Sequence, residues 1–143
     1  IFLDYPTYQQ EVDIVKNTTS DLTQKVNKVI SGEDIVAYQH LVRRVPISDN
    51  VVQYAVKLSQ STRSGKNGSA IATELLEWGA GPRASQYLVL GAKCNALLNG
   101  KYSPDIEDVQ AVAKPVLRHR IVRNFKAEAD GVTVDEVIER LMK

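Results

Sequence analysis

Cysteine occurs once, at Cys94, and histidine twice, at His40 and His119, in a chain of 143 residues. A single thiol cannot close an internal disulfide, and three such scattered side chains give no zinc-ligand spacing, so no metal site is expected. Cys94 falls inside an apolar helical pattern, which predicts a buried structural thiol. No run approaches the roughly 20 apolar residues of a bilayer span, and no charged-then-apolar leader precedes the first helical stretch. Membrane association is therefore not expected, and a cytoplasmic location is. Charge of one sign is also lacking: eighteen basic against seventeen acidic residues leave +1, so no overall field favours nucleic acid or an anionic lipid surface.

Chemical motifs are equally scarce. A phosphate-cradling loop needs spaced glycines, then Lys and a hydroxyl residue. The nearest stretch, Gly65-Lys66-Asn67-Gly68-Ser69, has Gln60 in place of the first glycine and Asn67 in place of the hydroxyl, so it reads as a surface loop. No apolar strand ends in paired acids to hold magnesium. No serine stands in a Gly-x-Ser-x-Gly elbow, and Glu107 with Asp108 reads as a solvated pair. The chain opens on Ile1-Phe2-Leu3, an apolar run without an initiator Met, which suggests a piece of something longer. Its 43% apolar content suits one domain able to bury about two-thirds of its extended surface.

What the chain does have is Trp78-Gly79-Ala80-Gly81-Pro82-Arg83-Ala84-Ser85, a glycine-rich turn opening into the most apolar helical stretch. Gly81 can serve as N-cap and Pro82 suits the first helical position, where its missing N–H has no intrahelical partner anyway. Arg83 is then second in the helix, where a cation has the wrong sign for the helix dipole, at a cost of about 0.3 to 1 kcal/mol. A bound anion would be held by the arginine and the free N–H groups together. That is a physical reason to suspect a phosphate, although arginines also occur in first turns without one.

Along the chain, Pro6 with Val12 and Val15 predicts a short helix ending near Lys16. Residues 17 to 21 read as linker, and Lys25 to Ile30 alternates weakly enough to be extended. Ser31 caps a helix with Glu33 and Asp34 in its first turn and Ile35, Tyr38, Gln39 and Val42 on one face, ended by Pro46. Ser48 begins the next, with Val52, Ala55, Val56 and Ser59 inward, closed by a loop from Ser61 to Ser69. The helix from Pro82 to about Leu98 carries small or apolar residues at 84, 88, 92 and 96 and again at 87, 91, 94 and 98, so most of its circumference should be packed. Gly91 and Ala92 permit close approach of a neighbour, and Gly100 is a C-terminal stop. Ser103-Pro104 starts a further helix through Ile106, Val109, Ala113 and Val116, which Pro115 should break or restart. Thr133-Val134-Asp135-Glu136 is a capping box ahead of Val137, Ile138 and Leu141. The fold class is all-α, a small helical bundle of about six helices with room for one minor extended pair.

Lys114, Arg118, His119, Arg120, Arg123 and Lys126 occupy a span without an acid. It reads as a solvated face near a helix break, as a contact surface for another domain, or as a nucleic-acid site, for which Phe125 is the only stacking aromatic. A stand-alone helical module binding nucleic acid or protein through residues 114 to 126 is the alternative function.

Gly79-Ala80-Gly81-Pro82-Arg83-Ala84-Ser85, Asp108-Val109, Val116-Leu117-Arg118-His119-Arg120 and Glu128-Ala129-Asp130-Gly131-Val132-Thr133, in that order, resemble the C-terminal part of MoxR-family AAA+ ATPases. The resemblance covers nearly the whole chain, with Leu3-Asp4-Tyr5-Pro6 and Glu11 resembling the exit from the AAA+ core. It implies that residues 1–16 are that exit and a first lid helix, and residues 17–143 the helical lid. It implies further that Arg83 is the sensor-2 arginine, directed at the γ-phosphate of ATP from the turn at Gly81 and Pro82. ATP, Mg2+ and the Walker A and B motifs would belong to a core domain outside this chain, so the chain alone is expected to be inactive. Gly81 departs from the serine that relatives often carry, removing a side-chain cap. The resemblance also implies a homo-oligomeric ring, chaperone-like maturation of partners, often with von Willebrand factor A domains, and an interface role for Arg118, His119 and Arg120 against core or neighbouring subunit.

Overall fold

The computed structural model describes residues 3–21, 26–66 and 68–143. The described residues form eight helices and one two-stranded antiparallel ribbon, an all-α architecture. The chain divides into two compact units, Ile1–Val36 and Ala37–Lys143.

The first unit holds α1 (Tyr8–Thr18) and the start of α2 (Gly32–Arg44). Thr7 caps α1 through a reciprocal box in which its backbone N–H donates to Gln10 Oε1 at 2.9 Å, so the helix begins after Pro6 rather than on it. Ser31 and Asp34 exchange the same pair of bonds at the head of α2, 2.8 and 3.0 Å. Residues 26 to 29 adopt no regular structure, so the extended stretch expected there is not found; Lys25 lies outside the described residues. Neither α1 nor α2 buries a residue fully, and the expected inner face of α2 leaves Ile35 and Tyr38 exposed.

The second unit is built around α5 (Pro82–Leu98), which packs against α3 (Asp49–Ser61) and α6 (Ile106–Leu117). Its stripe Ala84, Leu88, Ala92 and Ala96 is completely buried, and these small residues let both neighbours close in. A Cβ built on Gly91 would lie 3.1 Å from Val112 Cγ2, which is the close approach the glycine permits. The rest of the second stripe is open: Tyr87 and Leu98 are exposed, and so is Cys94, which corrects the expectation of a buried thiol. A long apolar pattern does not say how much of a helix will be covered.

α5 ends in a Schellman motif. Gly100 adopts φ +72°, its N–H donating to Leu97 O at 3.0 Å and that of Lys101 to Ala96 O at 2.8 Å. α6 starts from a capping box of Asp105 and Asp108, two residues beyond the expected Ser103 start. Pro115 does not break it, because it sits in the last turn and forfeits only one bond before the helix ends at Leu117. On α3 the inward residues are Val51, Ala55, Leu58 and Ser59 rather than the set containing Val52 and Val56. Apolar residues occupy two adjacent faces of that helix, and packing chose between them.

Two short helices escaped sequence reading, α4 (Ala70–Leu75), capped by Ser69, and α7 (Phe125–Ala129), capped by Asn124. Each is too brief for a periodic signal. The minor extended pair exists, but as β1 (Leu76–Trp78) against β2 (Val122–Arg123), with Leu76 opposite Arg123 and Trp78 opposite Val122. α8 (Val134–Met142) follows its Thr133–Glu136 box and buries Val137 and Ile138.

Two leucines of α5 separate its covered side from its open one. Leu88→Ala should cost about 2 to 5 kcal/mol in urea unfolding, whereas Leu98→Ala, at a position 82% exposed, should stay within about 0.5 kcal/mol. Equal losses would contradict the packing.

Candidate functional site

The glycine-rich turn between β1 and α5 is clamped by the end of α3. Ala80 is 1% exposed and belongs to neither a helix nor a strand, so its polar backbone atoms need partners from elsewhere. Its N–H donates to Thr62 Oγ1 at 2.8 Å, while Arg63 Nε donates to its carbonyl at 2.9 Å. Thr62 Oγ1 in turn donates to Ser59 O at 2.7 Å, so the buried hydroxyl is satisfied in both senses. Gly79 passes so near that a Cβ there would lie 2.3 Å from Thr62 O, a separation only a hydrogen allows.

Beyond the clamp, Gly81 is the N-cap in extended conformation, without a side-chain cap bond, and Pro82 takes the first helical position as expected. A Cβ on Gly81 would meet nothing within 4 Å, so the missing serine is not a matter of space. Arg83 follows, exposed, and among the described residues no carboxylate or carbonyl pairs with its guanidinium. It lines an open groove of about 740 Å³ that includes Arg43, Val52, Val56, Gln86, Tyr87 and Leu90. The groove residues include two arginines and no acid. The outward valines of α3 thus form an apolar wall beside two cations.

The 114 to 126 span is not a field of free cations. Arg118 grips Asp135 with both prongs, Nε to Oδ1 at 2.8 Å and Nη2 to Oδ2 at 2.7 Å. Lys114 pairs with Glu139, Lys126 with Glu74 at 2.6 Å, and Arg123 with Glu128 at 3.8 Å while donating to Val132 O at 2.8 Å. Arg120 lies 5.0 Å over the Tyr87 ring and donates to Val116 O, leaving His119 as the exposed member of the Arg118-His119-Arg120 trio. The acids come from α4, α7 and α8; Glu74, Asp135 and Glu139 are distant along the chain, whereas Glu128 lies just past the span. Tyr87 ties Arg120 to the same helix that carries Arg83, one turn further along it. The structure therefore keeps Gly81, Pro82 and Arg83 at the head of α5, links Arg120 to the groove through Tyr87, and engages both arginines of the trio within the chain.

Asp108 corrects the expectation of a solvated acid. It is 2% exposed and accepts from Asn95 Nδ2 at 2.8 Å, Lys101 Nζ at 3.1 Å and Asp105 N at 3.0 Å. The Lys101 ammonium is stabilised in its charged form by bonds to Asp105 first and Asp108 second. Among the described residues no set of three or more His, Cys, Asp or Glu side chains could hold a metal ion, and no helix is long and apolar enough to cross a membrane. Thr62 and Arg63 are the site residues that sequence reading missed. Nothing in a Ser-Thr-Arg run at a helix end indicates which distant backbone it will meet.

Residues 68–141 match the AAA lid domain family. The chain is 28% identical over 144 residues to Chaperone MoxR1 of Mycobacterium tuberculosis, covering 100% of this chain and 38% of that protein. It is 26% identical over 141 residues to the uncharacterised protein YeaC of Bacillus subtilis, covering 98% and 42%. A crystal structure from Cytophaga hutchinsonii, of a protein assigned as an ATPase, superposes with a TM-score of 0.76 at 27% identity, covering 98% of this chain and 43% of that one. The chain thus spans about two-fifths of the length of the curated relatives it matches.

The Arg118–Asp135 pair makes a prediction about acid. The hydrogen bond from Arg118 holds the Asp135 carboxyl below its ordinary range, against a smaller opposing effect of burial. A carboxyl depressed in the folded state contributes stability that is present above its unfolded value, about pH 4, and is lost as pH falls through the folded value. Asp135→Asn should therefore lower the melting temperature at neutral pH and flatten its decline in acid, so that the two curves converge below about pH 4. Parallel curves would show that the pair contributes nothing.

Proposed function

The chain belongs to the AAA lid domain family, and we propose that it is the lid of a MoxR-type ATPase, closing over ATP held mainly by a core domain, with Arg83 as the sensor-2 arginine. The observation that carries this reading is the state of Arg83, which is exposed and without a partner among the described residues. It sits on a first helical turn that would itself favour an anion, on a backbone clamped at Ala80. An arginine meant to stabilise its own lid would have been expected to find a carboxylate, as Arg118 does.

The donor set fits a phosphate. A guanidinium offers a planar fork of N–H groups to anionic oxygens, and the dipole of α5 adds positive potential at the same end. ATP supplies the phosphoryl group and the charge that develops on its transfer. Arg83 holds that charge, most strongly when lid and core are closed, and the closed angle is favoured only while the terminal phosphate remains. The acid-free groove with its apolar valine wall is compatible with a charged ligand that also has an apolar body. Chaperone-like work on partner proteins is the role we assign to the whole machine, supported by the name carried by the Mycobacterium tuberculosis relative.

In the full-length protein Arg83→Ala should depress ATP turnover by about a hundredfold or more, with the far-ultraviolet circular dichroism unchanged because Arg83 makes no side-chain hydrogen bond or ion pair among the described residues. Turnover close to that of the parent would end the assignment. The 143-residue chain alone, purified to homogeneity, should hydrolyse no ATP; sustained hydrolysis would place a catalytic centre where we propose none.

A further inference from the structure

We propose that Thr62 and Arg63, at the C-terminal end of α3, are positioning residues that set the aim of Arg83. The proposal rests on the reading of Arg83 given above.

A first-turn side chain is only as well directed as the backbone leading into its helix. In α5 the usual support is missing, because Gly81 has no side chain to bond the first-turn N–H groups and nothing packs against the place where one would be. Support comes one residue earlier. Both polar backbone atoms of Ala80 are taken by the two residues that follow α3, the N–H by Thr62 Oγ1 at 2.8 Å and the carbonyl by Arg63 Nε at 2.9 Å. Two such bonds on one residue fix its rotation as well as its position. Thr62 is itself locked, completely buried and donating to Ser59 O at 2.7 Å. Gly79 adds a steric stop, since its Cα lies so close to Thr62 and Arg63 that an added Cβ would reach 2.8 Å from Arg63 Cα.

The same end of α3 is joined to the next segment through Ser69 Oγ, which donates to Ser61 O at 2.8 Å. The helix end, the following loop and the turn into α5 are thus bonded into one piece. Arg83, three residues past Ala80, inherits its orientation from α3, and the clamp stands in for the cap that Gly81 does not provide. Neither Thr62 nor Arg63 needs to touch the nucleotide.

The test is a double-mutant cycle on ATP turnover by the full-length protein. Thr62→Val keeps the shape and removes the hydroxyl, and should lower kcat about tenfold to a hundredfold. Thr62→Ser restores the donor and acceptor, and should recover most of the loss. In an Arg83→Ala background Thr62→Val should cost no more than about a further twofold, because the residue it positions is gone. Arg63→Met, which keeps an apolar stem and removes only the donor to Ala80, should behave likewise and serves if Thr62→Val does not fold. Full activity of Thr62→Val, or losses that multiply with Arg83→Ala, would overturn the positioning role. The two failures are separable: near-normal turnover by Arg83→Ala alone refutes the sensor reading, whereas a crippled Arg83→Ala with multiplying losses refutes only the clamp.

Discussion

A buried backbone residue outside regular structure has to find partners for both its N–H and its carbonyl, and Ala80 is where this chain meets that demand. The solution couples distant segments, since the partners are 17 and 18 positions earlier, at the end of α3. Thr62 can reach the turn because α3 packs along α5 through the shared apolar core. Because α3 lies there, its Val52 and Val56 become the wall of the groove that Arg83 lines. An unsatisfied buried amide costs about 1 to 3 kcal/mol, enough to make this arrangement preferable to any that leaves Ala80 unpaired. The candidate site is therefore a by-product of a packing requirement, and its rigidity comes from the same source.

The charged residues divide into two populations. Four of the 114 to 126 span, Lys114, Arg118, Arg123 and Lys126, are staples within the chain, tying α6 and its C-cap, β2 and α7 to acids on α4, α7 and α8. Exposed pairs of this kind contribute little each, but they neutralise a stretch that otherwise looks built for a polyanion. Arg43 and Arg83 differ in lining a groove that includes no acid. What distinguishes these arginines from Arg118 is that no carboxylate pairs with them among the described residues, a property of three-dimensional neighbours and not of the residue type. Asp108 is the complementary case, an acid drawn into the interior because Asn95, Lys101 and the Asp105 backbone are all present to receive it.

Much of the helical plan was legible. The Thr133–Glu136 box, the Gly100 stop and the Gly81–Pro82 start are local devices whose partners lie within a few residues, and each works as read. The 84, 88, 92, 96 stripe was likewise visible as one face of a helix. The misreadings share a cause, which is that burial is decided by neighbours. The other stripe of α5 is as apolar in sequence yet leaves Cys94 and Leu98 in solvent. α3 could have turned either of two apolar faces inward. The ribbon formed from Leu76–Trp78 and Val122–Arg123, more than 40 residues apart, although a weakly alternating stretch elsewhere had the better local pattern.

By itself, then, the amino-acid order determined most of the longer helices, the all-α class, and the placement of Arg83 in the first turn of the longest described helix, because capping, periodicity and proline geometry act over four residues or so. Tertiary structure alone decided that this arginine has no carboxylate partner among the described residues, that Arg118 has one, and that Thr62 and Arg63 bond the turn. Those outcomes depend on which segments fold against one another, and hydrogen bonds and ion pairs between residues 17 or more apart leave no mark on the local pattern of either partner.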